Sequence, residues 1–563
     1  MNSQAGWLWL SILGAVVIGV AYTALLMPLD AITGDGAMWR NASGDNSQSL
    51  SLHLAFQNDA WRLPPLFAQS VFWPRGVAVS MGDVNPLMSL LAKVIVSVTG
   101  GRAINLMGVW FAACFALMPL ACVYAVRQLA GCQLGARGVL ACWVAGALAV
   151  STPALLYRLG HINLCGHFLI VLAIGLSARL MRRPDTQGWV WAFLLLLLAV
   201  LTHPYIFMLC AAMLCVPALQ DAIAARKLNR ALLIQTALAI VMPVVLLTAA
   251  SGTLGGGEKG FGFYSMNLLS MIVPQHSGLF GAELPTLDGT GGQYEGFAYL
   301  GAGVLLLVAA WLLTRPWRGW ADWRGMVILC AALFVFAINS KIYAGHVLLL
   351  NLGLKPWEDI FAVFRTNGRA IWPVVYLLML AGVVSAARRP AMIGVPLLFV
   401  AAALQWFDAA PPRAYATSYF AGEIAHPPIP ALPAGGTLIS TAPAPGCNGD
   451  PLGREVNAPL LLAGARAGMK LGDVGMGRTP KWFNCERFLS DGLEAPMRQG
   501  ELRAFTDPQY LPQLRLGVFG GAVCAKTDGF VLCGSGTGPI AGEPVALRGP
   551  ESVASMGRTA VSG

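Results

Sequence analysis

The sequence predicts a mainly α, polytopic membrane protein of roughly eleven transmembrane helices with a small α+β extramembrane C-terminal domain, and three observations point there. Hydrophobic residues make up 56% of the 563 and charged residues only 11%, far below the charged quarter of a soluble domain. Apolar runs able to cross a hydrocarbon core of ~30 Å recur between Trp7 and Phe407. From Asp408 onward the chain turns polar and Pro/Gly-rich, leaving only short apolar runs such as Gly436–Ser440 and Phe530–Cys533 for strands.

The first run, Trp7–Met27, is read as a retained span: Met1–Gly6 carries no Lys or Arg, and the run exceeds a usual signal-peptide core. A long loop follows, Gly34–Lys93, too polar to cross a bilayer. Its aromatic residues Trp39, Trp61, Phe67, Phe72 and Trp73 are of the kind that settle where lipid meets water. Pro86–Thr99 is apolar but short and contains Lys93, which suits a surface or re-entrant helix. Further spans are expected near Ala103–Val126, Val139–Tyr157, His167–Ala178, Trp189–Leu201, Tyr205–Leu219, Leu232–Ala250, Tyr299–Leu313, Met326–Asn339, Ile371–Ala387 and Met392–Phe407. Domain limits follow at 1–407 for the membrane domain, including a first outer loop at 28–101, 408–433 for a linker and 434–563 for the C-terminal domain. A loose tail is expected after about Pro550.

The formal charge of +10 does not point to nucleic acid. Basic residues gather in short loops, at Arg127 and Arg137, Arg179, Arg182 and Arg183, Arg226, Lys227 and Arg230, Arg315, Arg318 and Arg324, and Arg388 and Arg389. The positive-inside rule explains them, placing the N-terminus inside and the long motif-rich loops outside. Eight of the twelve cysteines lie in or beside spans, as small hydrophobes do. Cys447, Cys485, Cys524 and Cys533 fall in the C-terminal segment, and an even number in an oxidising compartment suggests disulfides. Three pairings are possible; Cys524 with Cys533 would close a short hairpin and Cys447 with Cys485 a longer loop.

Candidate chemistry lies in the predicted outer loops. Asp45, in GDNSQSLSLH, is the candidate base, and His53 stands two helical turns further on. Asp83, in MGDVNPLMSLLAK, is a second acidic group, either orienting an acceptor or metal or favouring the N-terminus of a helix opened by Pro86. Asp30 and Asp35 read as solvated, and Asp59 as a partner of Arg62. Arg158, His161 and His167, in RLGHINLCGH, form a cationic group joined by His203 of LTHPY. The six-residue His spacing, with no acidic ligand nearby, suits phosphate contact better than zinc. Tyr264 and Asn267 in GFYSMNLLSMIVPQ, and Tyr294 and Glu295 in QYEGFAYLG, are candidate substrate contacts; the latter two could instead cap the following span. Arg365 and Arg369 in FRTNGRAIWP are spaced i, i+4, so a helical turn would bring both guanidiniums together at headgroup level as a phosphate clamp or as lipid-anchoring cations.

Taken in order, GDNSQ, GDVNPL, RLGHINLCGHFLI, GFYSMNLLSMIVPQ, QYEGFAYLG and FRTNGRAIWP resemble an uncharacterised bacterial family of multispanning proteins, itself similar to the GT-C glycosyltransferases. The likeness runs from about Asp45 to Pro373, and its wider part rests on an acidic residue after the first span followed by surface helices. It implies transfer of a sugar from a polyprenyl-phosphate donor to a lipid, glycan or protein acceptor on the periplasmic side of the bacterial inner membrane, with Asp45 as general base. The chain departs from the common GT-C pattern in having no close Asp-x-Asp pair, which leaves a divalent metal open as cofactor. The rival expectations are a transporter or flippase of lipid-linked glycan, and a non-catalytic subunit of an envelope-polysaccharide machine.

Overall fold

The computed structural model describes residues 3–42, 44–130, 135–253, 260–281, 284, 286–313, 320–353, 364–424, 431–447, 451–507, 521–527 and 529–545. Cys132, Arg315, Arg318 and the expected tail after Pro550 lie outside the described residues. Among the described residues eight helices are long and apolar enough to cross a membrane: Gln4–Leu26, Met107–Ala130, Ala136–Leu156, Ile162–Arg182, Pro204–Ala225, Arg230–Ser251, Asn367–Arg388 and Ala391–Asp408. Thr186–Thr202, Ala302–Leu312 and Arg324–Ile338 are shorter apolar helices, and together with the eight they account for every run expected to span. Pro86–Thr99, also short and apolar, is helical as expected.

Strands are few and short: β1 (Phe67–Ala68) with β2 (Val77–Ala78), β3 (Lys341–Ala344) with β4 (Val347–Asn351), then β5 (Leu438–Ala442), β6 (Lys470–Leu471), β7 (Glu501–Phe505), β8 (Val523–Thr527), β9 (Phe530–Ser535) and β10 (Glu543–Pro544). The chain divides into two compact units, one of Met1–Ile32, Gly108–Leu247 and Gly257–Ala421, the other of Thr33–Met107, Thr248–Gly256 and Gly422–Gly563.

The first unit is the helical membrane unit. His167–Arg182 packs on Pro204–Ala225, and Trp372–Arg388 on both Ala391–Asp408 and Ala302–Leu312. Trp372, Tyr376, Phe111, Phe115 and Tyr299 are fully buried among them. Within the expected linker, Ala410–Ala421 is a helix whose Phe420 packs edge-on against Phe111 at 5.1 Å between ring centroids.

The second unit gathers the first loop and the C-terminal residues around one six-stranded sheet, ordered β10-β8-β9-β7-β5-β6. β6 and β7 flank β5 in parallel, whereas β7, β9, β8 and β10 pair antiparallel. Helix Pro451–Arg466 joins β5 to β6, and Cys485–Glu494 lies between β6 and β7. Ala442, Leu493, Phe505, Val531 and the Cys524–Cys533 pair form a buried core. Both expected disulfides are present, Cys447–Cys485 and Cys524–Cys533.

The first loop is built into this sheet. Leu471 N–H donates to the Ser70 carbonyl at 2.7 Å, Trp73 N–H donates to the Leu471 carbonyl at 3.0 Å, and helix Gly44–Gln57 lies along Pro451–Arg466. This alters the expectation for the loop's aromatic residues. Trp39 and Phe72 are buried inside the unit, Phe72 edge-on to Trp482, Phe483 and Phe488, and the Trp73 ring meets the cations of Lys470 and Arg498 at 4.6 and 4.4 Å. The expected Asp59–Arg62 pair does not form: Asp59 accepts from the Gln69 and Ser70 backbone N–H groups, and Arg62 donates to Gln69 Oε1.

Candidate active site

Within the second unit Asp45 occupies the first turn of helix Gly44–Gln57, where the helix dipole favours a carboxylate. Asp83 sits on the opposite side of the first loop, between the 3-10 turn Val79–Met81 and helix Pro86–Thr99. Asn85 rather than Asp83 caps that helix, its side chain accepting from Met88 N–H at 3.2 Å with Pro86 in the first position. Asp83 is therefore not the capping residue of that helix. One helical turn beyond Asp45, the Ser49 hydroxyl donates to the Asp83 carbonyl and ties the loop to the helix. The ligand oxygens of Asp45 and Asp83, far apart in sequence, come within 4.8 Å of each other. Two ionised carboxylates this close repel, and a shared proton or a cation between them relieves the repulsion.

A segment that sequence reading passed over walls this pair. Gly472–Arg478, just past β6, runs against the same helix and loop. A Cβ on Gly475 would lie 2.0 Å from Gln48 Oε1, and one on Gly477 would lie 3.5 Å from Asp83 N. Arg478 N–H donates to the Met81 carbonyl at 3.0 Å. Glycines at 472, 475 and 477 were the available signal for so close a backbone approach.

Asp473 anchors the segment. Its carboxyl, fully buried, accepts from Thr441 N–H and Thr441 Oγ1–H, both at 2.8 Å. Burial pushes its pKa up to about 7, against the opposing pull of those two bonds. The folded state keeps this proton while the unfolded chain releases it near pH 4, so stability falls as pH rises between those values. Asp473→Asn should flatten the fall, on the order of 2–4 kcal/mol between pH 4 and 8, with thermal unfolding of the solubilised protein as the measurement. A variant with the parent's pH slope would contradict the assignment.

The first unit holds a buried ionic cluster centred on Glu295. Gly296 and Gly368 make it possible: a Cβ on Gly368 would lie 2.6 Å from Gly296 Cα, and one on Gly296 would lie 2.5 Å from Ser265 O, so the 3-10 turns Gln293–Gly296 and Asn367–Ile371 touch backbone to backbone. Arg369 then grips Glu295 with a two-pronged fork, Nε to Oε2 at 3.1 Å and Nη2 to Oε1 at 2.9 Å. Arg158 donates to Glu295 Oε2 and to the Tyr294 carbonyl, the latter at 3.0 Å, and His161 Nε2 stands 3.5 Å from Oε1. Burial alone would raise the Glu295 pKa, but the Arg369 and Arg158 guanidiniums outweigh it and hold the carboxyl well below the usual range.

Arg365 and Arg369 do not share a helical turn. The chain at Arg365–Thr366 is not helical, and the 3-10 turn begins at Asn367. Arg365 stands over the Tyr264 ring at 5.7 Å, and Arg369 over Tyr205 at 4.9 Å. Glu295 does not cap the following helix either; Asp408 accepts from Ala302 N–H there at 2.7 Å.

The remaining candidates are placed as follows. His53 is buried, its ring bonded to Ser89 Oγ at 2.9 Å and the Ile104 carbonyl at 3.0 Å, and burial holds its pKa down to about 4 despite the Ile104 bond. His167 is buried against Trp372 with Nδ1 2.7 Å from the Tyr376 hydroxyl. His203 caps helix Pro204–Ala225 by accepting from Tyr205 N–H. Asn267 pins Gly345 and Gln293. Tyr294 is exposed at 39%.

The family described as "Domain of unknown function (DUF6311)" matches residues 16–410, well over half of the chain. The chain belongs to that family. The matched part of this DUF6311 member contains Asp45, Asp83, Arg158, Glu295 and Arg369, whereas Gly472–Arg478 lies beyond it. No curated protein matches the chain. Among solved structures, the DUF6311 member is similar to the archaeal oligosaccharyltransferase AglB from Archaeoglobus fulgidus in complex with an inhibitory peptide and a dolichol-phosphate, at 12% identity and a TM-score of 0.42, over 93% of this chain and 74% of that one. The Archaeoglobus fulgidus oligosaccharyltransferase in complex with Zn and sulfate gives 11% identity and 0.42, over 92% and 73%. The same enzyme tethered to an acceptor peptide containing the NVT sequon gives 13% and 0.40, over 95% and 75%.

Proposed function

We propose that this multi-pass membrane protein is a glycosyltransferase that moves a sugar from a polyprenyl-phosphate donor to a lipid, glycan or protein acceptor. The observation that carries it is the convergence of Asp45 and Asp83 to within 4.8 Å. Asp45 takes the proton of an acceptor hydroxyl or amide as that atom attacks the anomeric carbon; the bond from that carbon to the phosphate oxygen breaks, and the phosphate leaves with the electron pair. Direct displacement inverts the sugar. Asp83 orients the acceptor.

Carboxylate oxygens such as these two are ligands of hard divalent cations such as Mg²⁺ or Mn²⁺. Bound there by Asp45 and Asp83, such a cation would supply positive charge for the leaving phosphate. Arg158 and Arg369 are engaged with Glu295 within the first unit. The two disulfides fit an oxidising compartment for the second unit, the periplasm in a bacterial inner-membrane protein.

A second reading, transport of an intact lipid-linked glycan, draws on the buried Arg158–Glu295–Arg369 cluster, since ionic groups buried in membrane units mark translocation paths as well as structure. Proteoliposomes holding the purified protein and a labelled polyprenyl-phosphate sugar separate the two. Cleavage of the donor, with label moving to an added acceptor fraction, is the expected result. Label crossing the bilayer on an uncleaved donor would overturn transfer in favour of transport.

A further inference from the structure

We infer that the β3–β4 hairpin is a membrane-contact element, lying at the boundary between hydrocarbon and headgroups with its aliphatic strand against lipid. In β4, Val347, Leu348, Leu349 and Leu350 are exposed at 63, 46, 58 and 48%, and Leu352 beyond it at 52%. Successive side chains of a strand point to opposite faces, so both faces of β4 are aliphatic and, among the described residues, uncovered. A hairpin meant for water is polar on at least one face, and an open aliphatic edge in water invites aggregation.

The exposure is built in, since the hairpin is held firmly. Asn267 Oδ1 accepts from Gly345 N–H at 2.9 Å, and its Nδ2 donates to the Gly345 carbonyl at 2.8 Å. Leu268 N–H donates to the Tyr343 carbonyl at 2.9 Å, the Leu352 N–H closes the base on the Ser340 carbonyl at 2.9 Å, and His346 Nδ1 lies 3.0 Å from the Asp288 carbonyl. A fixed element therefore presents the aliphatic residues outward.

Position in the chain identifies lipid as the occupant. The hairpin follows the apolar helix Arg324–Ile338 after Asn339 and Ser340. That helix has 15 residues. At ~1.5 Å each it measures about 22 Å, some 8 Å short of a hydrocarbon core of ~30 Å. Val327, Ile328 and Val335 on it are exposed at 52, 50 and 63%, the same order as β4, so the hairpin continues an apolar surface where the helix ends too soon. The backbone groups of a two-stranded ribbon that its partner strand does not bond cannot lie in the hydrocarbon core, which holds the ribbon at the boundary while its aliphatic side chains reach into the shortfall. Between Ser340 and Gly353 there is no Asp or Glu, and the single Lys341 is exposed, a pattern that suits phospholipid headgroups.

The test uses the full chain reconstituted in phosphatidylethanolamine/phosphatidylglycerol vesicles, with Leu349→Cys labelled by an environment-sensitive nitrobenzoxadiazole probe. Val335→Cys serves as the lipid-facing reference and Asp491→Cys as the aqueous one, after subtraction of labelling in the unsubstituted protein. The expected result is quenching by doxyl-labelled lipid at least threefold stronger than by aqueous iodide, close to the Val335 reference. Dominant iodide quenching would overturn the inference by showing the strand in water. Resistance to both quenchers would overturn it as well, with another protein surface as the cover. Val347→Cys, labelled in parallel, keeps the test open should the Leu349 variant fail to fold.

Discussion

Asp45→Asn should leave the protein folded and lower sugar transfer by roughly 10²–10⁴-fold, the range lost when a positioned general base is removed. Asn has the shape of Asp, and losing the carboxylate at the start of a helix removes a charge–dipole contribution of about 0.3–1 kcal/mol. Asp83→Asn should also depress turnover, but through acceptor binding, raising KM more than it lowers kcat. If the pair holds a cation, either substitution should weaken Mn²⁺ binding, read by electron paramagnetic resonance in the absence of substrate, while leaving the disulfides and thermal midpoint near the parent's. The double variant should be no worse than the poorer single one, because two residues acting on one reacting centre are not additive. Parent-like transfer in Asp45→Asn would end its role as base.

Much of the membrane unit was legible in the sequence because a span is a local property: an apolar run of sufficient length is visible without knowing its neighbours. All the expected spans coincide with helices for that reason, down to the short Ala302–Leu312 and Arg324–Ile338. The disulfides were legible from the parity of cysteines in one segment, and the short apolar runs near Gly436 and Phe530 did become β5 and β9.

Long-range pairing was not legible. Glu295, Arg158 and Arg369 each read as a separate substrate contact, and nothing in three distant motifs says that one carboxylate neutralises two guanidiniums. The clue lay in Gly296 and Gly368, whose missing side chains allow two 3-10 turns to touch. Trp39 and Phe72 of the first loop read as interfacial because composition cannot distinguish a ring facing lipid from one, such as Phe72, facing Trp482, Phe483 and Phe488. The role of Gly472–Arg478 was hidden by the change in composition after Asp408, which made the C-terminal segment look separate from the first loop when its backbone in fact lies against Gln48 and Asp83.

Glu295→Gln should destabilise the protein by about 3–5 kcal/mol, the cost of removing one partner from a buried ionic cluster and leaving the others uncompensated. The Arg158 and Arg369 side chains are only 2 and 8% exposed, so water cannot replace the lost charge. Gln can still accept one hydrogen bond, but the two-pronged fork from Arg369 needs both oxygens. Combining Glu295→Gln with Arg369→Gln should cost less than the sum of the single changes, with a coupling of roughly 1–3 kcal/mol, because the second change removes a cation the first has stranded. The pH dependence has a definite sign. Arg369 and Arg158 hold the folded-state pKa of Glu295 well below its ordinary value, so its contribution is fully present above about pH 4.5 and is lost as pH falls toward the folded value. Thermal unfolding in detergent between pH 3 and 7 should therefore show an acid-side loss in the parent that Glu295→Gln lacks. Were Glu295→Gln to unfold within about 0.5 kcal/mol of the parent and with the same acid-side slope, the cluster would not be a stabilising element, and Arg158 and Arg369 would have to be counted among the cations available to substrate.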